Sequence, residues 1–201
     1  MKITAAYKAE SAPQPGGMNI LVWPDSSMVR SGKPVFIPDD RPYMLVAGYA
    51  AHITAVGKSI GRKFAGRYYS EVAPVAFLLP EEAAKELAAQ RDPKACDVVA
   101  DYTVIIGDFT AADSLQGPTT THLELKPLNK TATDNETTGY TATTESITSA
   151  LAEAIAEASR RNTLKTGDFV AYMEPKPFDS GPDLLLTVRT EGKTLLENKL
   201  K

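Results

Sequence analysis

The stretch 43–54 constrains this chain more than any other. Leu45, Val46, Ala47, Ala50, Ala51 and Ile53 leave it little polar surface, and an apolar run of that length and composition reads as a buried strand. A buried strand needs other elements laid over it, so the chain must build a sheet with a core. With 201 residues, 43% of them hydrophobic, it is long enough to bury about 70% of its unfolded surface. Residues 1–201 are therefore read as a single domain.

The remaining pattern supplies strands and a few helices. Strands are expected at 1–7, 19–23, 35–37, 75–79, 101–109 and 122–127. The last of these alternates as His122, Leu123, Glu124, Leu125 and Lys126, a half-exposed pattern. Closing strands are expected at 169–173, 184–190 and 194–198, with turns at 180–183 and at Glu191 and Gly192. Residues 12–17, with two prolines and two glycines, break the first pair. The threonine-rich region 117–144 reads as strand pairs on solvent, turning at Asp134 and Asn135.

Three helices are expected. Ile60, Phe64, Tyr68 and Val72 recur every fourth residue and predict one over about 59–71, stopped by Pro74. Pro80, Glu81 and Glu82 form a favourable first turn for a second, which runs through Leu87 to about Gln90. The clearest begins at Thr144, buries Ile147, Leu151, Ala154, Ile155 and Ala158, and places Arg160 and Arg161 at its negative end.

Composition excludes several functions. The net charge of −3 with mixed signs offers no basic face for nucleic acid, and no basic amphipathic helix points to a membrane. Cys96 stands alone, so there is no internal disulfide and no cysteine-rich zinc site, and it reads as a small buried hydrophobe. No apolar run approaches a membrane span and the N-terminus lacks a signal-peptide pattern, so the cytoplasm is the expected compartment. Asn135, Glu136 and Thr137 would matter as a glycosylation acceptor only in a secreted protein.

Four segments, in order, carry a resemblance. Trp23, Pro24 and Asp25 lead through Gly32 into Pro34, Val35, Phe36, Ile37 and Pro38. Phe64, Ala65, Arg67, Tyr68, Tyr69 and Glu71 follow, then Lys94, Ala95, Cys96 and Asp97. Leu164, Gly167 and Asp168 close the series ahead of the apolar run from Phe169 to Met173. Together these resemble the fumarylacetoacetate hydrolase family. The resemblance implies an α/β (α+β-like) fold in which mixed sheets roll around a core, with two or three outer helices, and a homodimer.

It also implies a chemistry that the residues do not supply. The family holds a divalent cation on three carboxylates, which here fall at Val46, Gly48 and Phe77, none of them a ligand. Loss of that cation removes the Lewis acid that would stabilise an enolate. The family's substrate-facing Gly-Thr-Pro-x-Gly loop reads Met173, Glu174, Pro175, Lys176 and Pro177, and its early histidine has no counterpart. His52 lies in an apolar alternating run and reads as an outward or satisfied strand residue, and His122 has less support still.

The expectation is thus a non-catalytic binding or structural protein, without metal or cofactor, that pairs with itself or with an active relative. A small carboxylate is its expected ligand. The alternative is a metal-independent hydrolase, decarboxylase or isomerase of small 2-oxo acids or acylpyruvates, with Lys94, Asp97 and Glu174 as its polar groups. Lys94 and Asp97 match polar residues of the family motif, and Glu174 stands where the family has its threonine. Each also has a plain structural reading: a solvated lysine, a turn cap and an outward-pointing carboxylate.

Overall fold

Trp23 and Phe77 lie on strands four places apart in one sheet, yet their ring centroids are 5.2 Å apart. In a flat sheet four strand spacings amount to about 19 Å, so the sheet must curl until the inner faces of β2 and β5 meet. This computed structural model describes residues 1–12, 17–94, 98–115, 120–128 and 138–201, apart from the side chains of 114, 115 and 138–146.

Its strands are β1 (Lys2–Lys8), β2 (Met18–Pro24), β3 (Met28–Arg30), β4 (Tyr43–Ile53), β5 (Tyr69–Pro80), β6 (Val104–Ile106) and β7 (Thr110–Ala111). They are followed by β8 (Thr120–Pro127), β9 (Thr138–Thr143), β10 (Phe169–Asp179), β11 (Leu184–Thr190) and β12 (Lys193–Leu200). The helices are α1 (Glu81–Ala88) and α2 (Thr144–Arg161). The curled sheet runs β2-β1-β10-β4-β5-β6-β3, with β7 beside β5, and mixes parallel and antiparallel pairs. A second sheet, β12-β11-β8-β9, is antiparallel.

The period of two decides what each strand faces. Along β4, Val46 and Ala50 point into the roll, where they join Ile3, Trp23, Phe77, Val104 and Met173. Of the opposite set, Leu45 and Ala47 pack against the second sheet, and Tyr49, Ala51 and Ile53 against α2. This is why β4 carries so little polar surface: both its faces are covered. The α2 stripe buries Ile147, Leu151, Ala154, Ile155 and Ala158 as its spacing predicts, each large aliphatic chain contributing about 1.5–3 kcal/mol. Arg160 and Arg161 both pair with Glu157 at the helix end, at 2.8 and 3.2 Å.

Two expected elements differ. Residues 59–71 do not form an α-helix: Arg62–Arg67 is a 3-10 turn and β5 begins at Tyr69. Ile60 is buried from the segment before the 3-10 turn and Val72 from β5, while Phe64 is 39% exposed, so the four-residue spacing was not one helical face. Pro74, expected as a helix stop, sits inside β5. Its carbonyl accepts from the Gly107 N–H on the β6 and β7 side, so its missing N–H faces the interruption between those two strands and leaves the β4 ladder whole. Residues 35–37 form no strand either. Val35 makes an isolated bridge to Leu200 and the segment is pinned to the end of β12. The turn expected at Asp134 and Asn135, the acceptor sequence there, and Cys96 lie outside the described residues.

The turn at Leu164, Gly167 and Asp168 closes the sheet at one end. Gly167 has φ +88°, a conformation that suits glycine, and its N–H donates to the Ile53 carbonyl. The Asp168 carboxylate is buried, accepts from the backbone N–H groups of Lys2 (3.1 Å) and Lys165 (2.9 Å), and pairs with the Lys2 ammonium. Burial works to raise its pKa, but the Lys2 side chain and the two backbone donors hold it below the ordinary carboxylate range. Asp168→Asn should cost about 2 kcal/mol at neutral pH, less than a fully buried pair because Lys2 is partly exposed. Because the folded pKa is depressed, the stabilisation is complete above the unfolded value near about 4 and is lost as pH falls through the folded one. Urea midpoints of wild type and variant should therefore converge in acid.

Candidate functional site

Register brings the three positions implied as cation ligands together. Val46 is paired directly with Phe77 across β4 and β5, and Gly48 lies two residues along the same face, opposite Val75. None of the three side chains offers an oxygen to a cation. Val46 and Phe77 are 1% and 0% exposed, and the Trp23 ring closes over Phe77. The Trp23 indole N–H has no hydrogen-bond partner among the described residues, and as a donor it cannot ligate a metal.

Gly48 is filled in another way. A Cβ at this position would stand 1.9 Å from the Tyr172 carbonyl oxygen. Gly48 is paired with Met173, the last residue before the β10 pairing to β4 slips between Met173 and Pro177. Such a bulge re-aims the local backbone. On its other side, toward Thr121, Leu123 and Val188 of the second sheet, Gly48 lines a void of only about 10 Å³, no more than the minimum for one water.

The segment from Met173 to Pro177 is thus part of a bulged strand, where the sequence suggested a loop. Glu174 is half-buried in it and acts on the phenols of Tyr49 and Tyr172. Burial raises Tyr49 to about 12, a hydrogen bond with Thr121 opposes this, and the Glu174 charge adds to it. Tyr172 is raised as well, by burial first and then by Glu174 and Glu153. Tyr49 and Tyr172 belong to the face covered by α2. Lys94 is exposed in the segment after α1, and α1 covers the inner face through Ala83, Ala84 and Leu87. No hydrogen bond or ion pair joins Lys94 to Glu174 among the described residues, and Asp97 lies outside them.

His52 is held where strand pairing puts it, opposite Glu71, with Nδ1 3.2 Å from the carboxylate. Its ring packs 5.2 Å from Phe169 and 5.7 Å from Phe109, which are themselves stacked. His122 is exposed on β8 between Arg189 and Thr141. Among the described residues, no three His, Cys, Asp or Glu side chains are gathered as a metal ion would require. No described helix is long and apolar enough to cross a membrane.

Sequence reasoning missed two groups. Trp23 was visible as part of a motif, and its alternation with Leu21 marked it as core-facing, but nothing in sequence paired it with Phe77. Asp92 is the other. It accepts from the Tyr7 hydroxyl (2.7 Å), the Asn19 amide (2.7 Å) and Ser11, and Arg161 donates to Asn19 (2.9 Å). This knot ties β1, β2 and the end of α2 to the chain beyond α1. Burial and the Asp92 hydrogen bond push the Tyr7 phenol well up.

The fold is that of fumarylacetoacetate hydrolase family proteins. A Yersinia pestis protein described as belonging to that family superimposes with TM-score 0.77 at 16% identity, covering 100% of this chain and 92% of that one. A Pseudomonas aeruginosa fumarylpyruvate hydrolase in complex with Mn2+ and pyruvate gives 0.75 at 15%, covering 100% and 89%. A Mycobacterium smegmatis 5-carboxymethyl-2-hydroxymuconate delta-isomerase gives 0.72 at 15%, covering 99% and 78%. At these identities the likeness is one of fold. No family model and no curated protein matches the sequence.

Proposed function

We propose that this chain is a non-catalytic member of the fumarylacetoacetate hydrolase family that has lost its cation site and acts as a binding or structural partner, paired with itself or with an active relative. One observation carries the reading: where the family resemblance calls for three carboxylates, two apolar side chains and a glycine stand packed, with the Tyr172 carbonyl in the space of any side chain at 48. Fold alone does not bring activity with it. The Pseudomonas aeruginosa hydrolase of the same fold is a complex with Mn2+ and pyruvate; the donor set here does not fit such an ion.

Thermal melts with millimolar magnesium, manganese or calcium should match melts in chelator. An ion at a hundred times its dissociation constant would add about 2.7 kcal/mol to stability, which a melt resolves easily. Assays with acylpyruvates and related 2-oxo acids should stay at background. A cation-dependent rise in Tm would overturn the reading. Turnover abolished by Glu174→Gln or Lys94→Ala, with the melt intact, would replace it with the metal-free enzyme. Light scattering of the purified chain, alone and mixed with a complete family member, tests the pairing.

A further inference from the structure

We propose that the groove between β3 and residues 33–38 binds an aryl-alkyl monocarboxylate, its apolar part on Phe36, Ile37 and Tyr102 and its carboxylate on Arg30 and Lys33. The groove encloses about 720 Å³, within the range of about 300–1,000 Å³ usual for small-molecule sites. It is separate from positions 46, 48 and 77, so it stands or falls apart from the reading above.

Three observations point to a ligand there. First, large aromatic surface is left in water: Phe36 is 67% exposed and Tyr102 64%. Phe36 is held out because Val35 and Ile37 donate their N–H groups to the carbonyls of Lys199 and Lys201, at 2.9 and 2.8 Å, which leaves the residue between them on the opposite side. Second, Tyr102 has φ +60°, a strained backbone for a bulky residue. Its N–H donates to the Ser26 carbonyl (3.3 Å) and its neighbour Asp101 accepts from the Ser26 hydroxyl (2.6 Å). An exposed ring thus stands on a strained backbone that these two hydrogen bonds hold in place. Third, two cations line the groove against one carboxylate. Asp101 accepts from the Ser26 hydroxyl, and none of Asp101, Arg30 and Lys33 has an ion pair among the described residues. The Arg30 guanidinium instead rests over the Phe109 ring, 5.7 Å from its centroid.

Apolar walls with two cations to one carboxylate fit an amphipathic anion. They do not fit strand addition, because the free edge of β3 is already used. The Met28 N–H donates to the Asp25 carbonyl, and the Arg30 carbonyl accepts from the Lys33 N–H and the Asn198 amide. Nor do they favour a second copy, since the excess positive charge has no complement within the groove itself, as a two-fold contact centred on it would need.

The test titrates the full chain with 4-phenylbutyrate and with 4-phenylbutanol, followed by amide chemical shifts. The acid should bind saturably and shift residues 28–38 and 101–102, and the alcohol should bind about tenfold more weakly, the equivalent of one lost charged contact. Phe36→Ser should weaken both probes. Arg30→Gln with Lys33→Gln should abolish the preference for the acid and leave the melt unchanged. The proposal fails if acid and alcohol bind equally, if neither saturates, or if Phe36→Ser leaves binding intact. It also fails if the chain forms a dimer that Phe36→Ser dissolves, which would give the groove to a second copy.

Discussion

Phe77→Asp is expected to destabilise the protein by about 5 kcal/mol or more, enough to unfold a domain of ordinary stability. Loss of the ring from a fully buried position removes its contacts with Trp23 and its place among Val46, Val75 and Val104. Truncation of a buried phenylalanine alone costs about 3–5 kcal/mol, and the carboxylate adds the penalty of a polar group with no donor to receive it. Adding Val46→Glu, directly across the strand pair, puts a second carboxylate beside the first. The double variant should therefore lose its cooperative urea transition in chelator and not regain it with magnesium. Recovery with magnesium would mean that the packed interior still holds a cation-sized cavity. A double variant as stable as wild type would show that these positions do not face the core.

Gly48→Ala is expected to cost about 3 kcal/mol, far more than an alanine usually does. The new methyl would meet the Tyr172 carbonyl oxygen at 1.9 Å, and because the obstacle is backbone, relief requires β10 to move. A matched control is Gly181→Ala, where a Cβ meets nothing within 4 Å and φ is ordinary; it should change stability by less than about 0.5 kcal/mol. Urea midpoints of the three proteins decide the matter. Equal midpoints for Gly48→Ala and the control would mean that β10 does not press on β4 at Gly48 as described. A glutamate at 48 carries the same Cβ and meets the same obstacle, so placing there the carboxylate that the resemblance implies requires a different backbone as well as a different side chain.

The helix α2 and the strand β4 were legible in sequence because their signals are local. Ile147, Leu151, Ala154, Ile155 and Ala158 repeat with the helical period, and helical geometry alone puts them on one face. The same rule misled at residues 60–72. Ile60 and Val72 are both buried in the cluster beneath α2, but one lies ahead of the 3-10 turn and the other on β5, so their spacing matched a helical period without a helix between them. A periodic pattern reports burial; it does not report which element carries each residue. Pro74 shows the same limit, since its place within a strand is allowed only by a gap between β6 and β7 that no local signal marks.

Sequence by itself determined that the side chains at 46, 48 and 77 carry no oxygen donor and that 173–177 holds Met173, Glu174, Pro175, Lys176 and Pro177 with no glycine or hydroxyl, because donor chemistry belongs to residue identity. Tertiary structure decided what those residues became. The curl of the sheet carries Trp23 over Phe77, the β10 pairing just before its slip sets the Tyr172 carbonyl against Gly48, and the bulge sets Glu174 beside two tyrosines rather than beside Lys94. Each of these contacts joins strands distant in sequence, and its geometry follows from register and curvature, which depend on every strand between them.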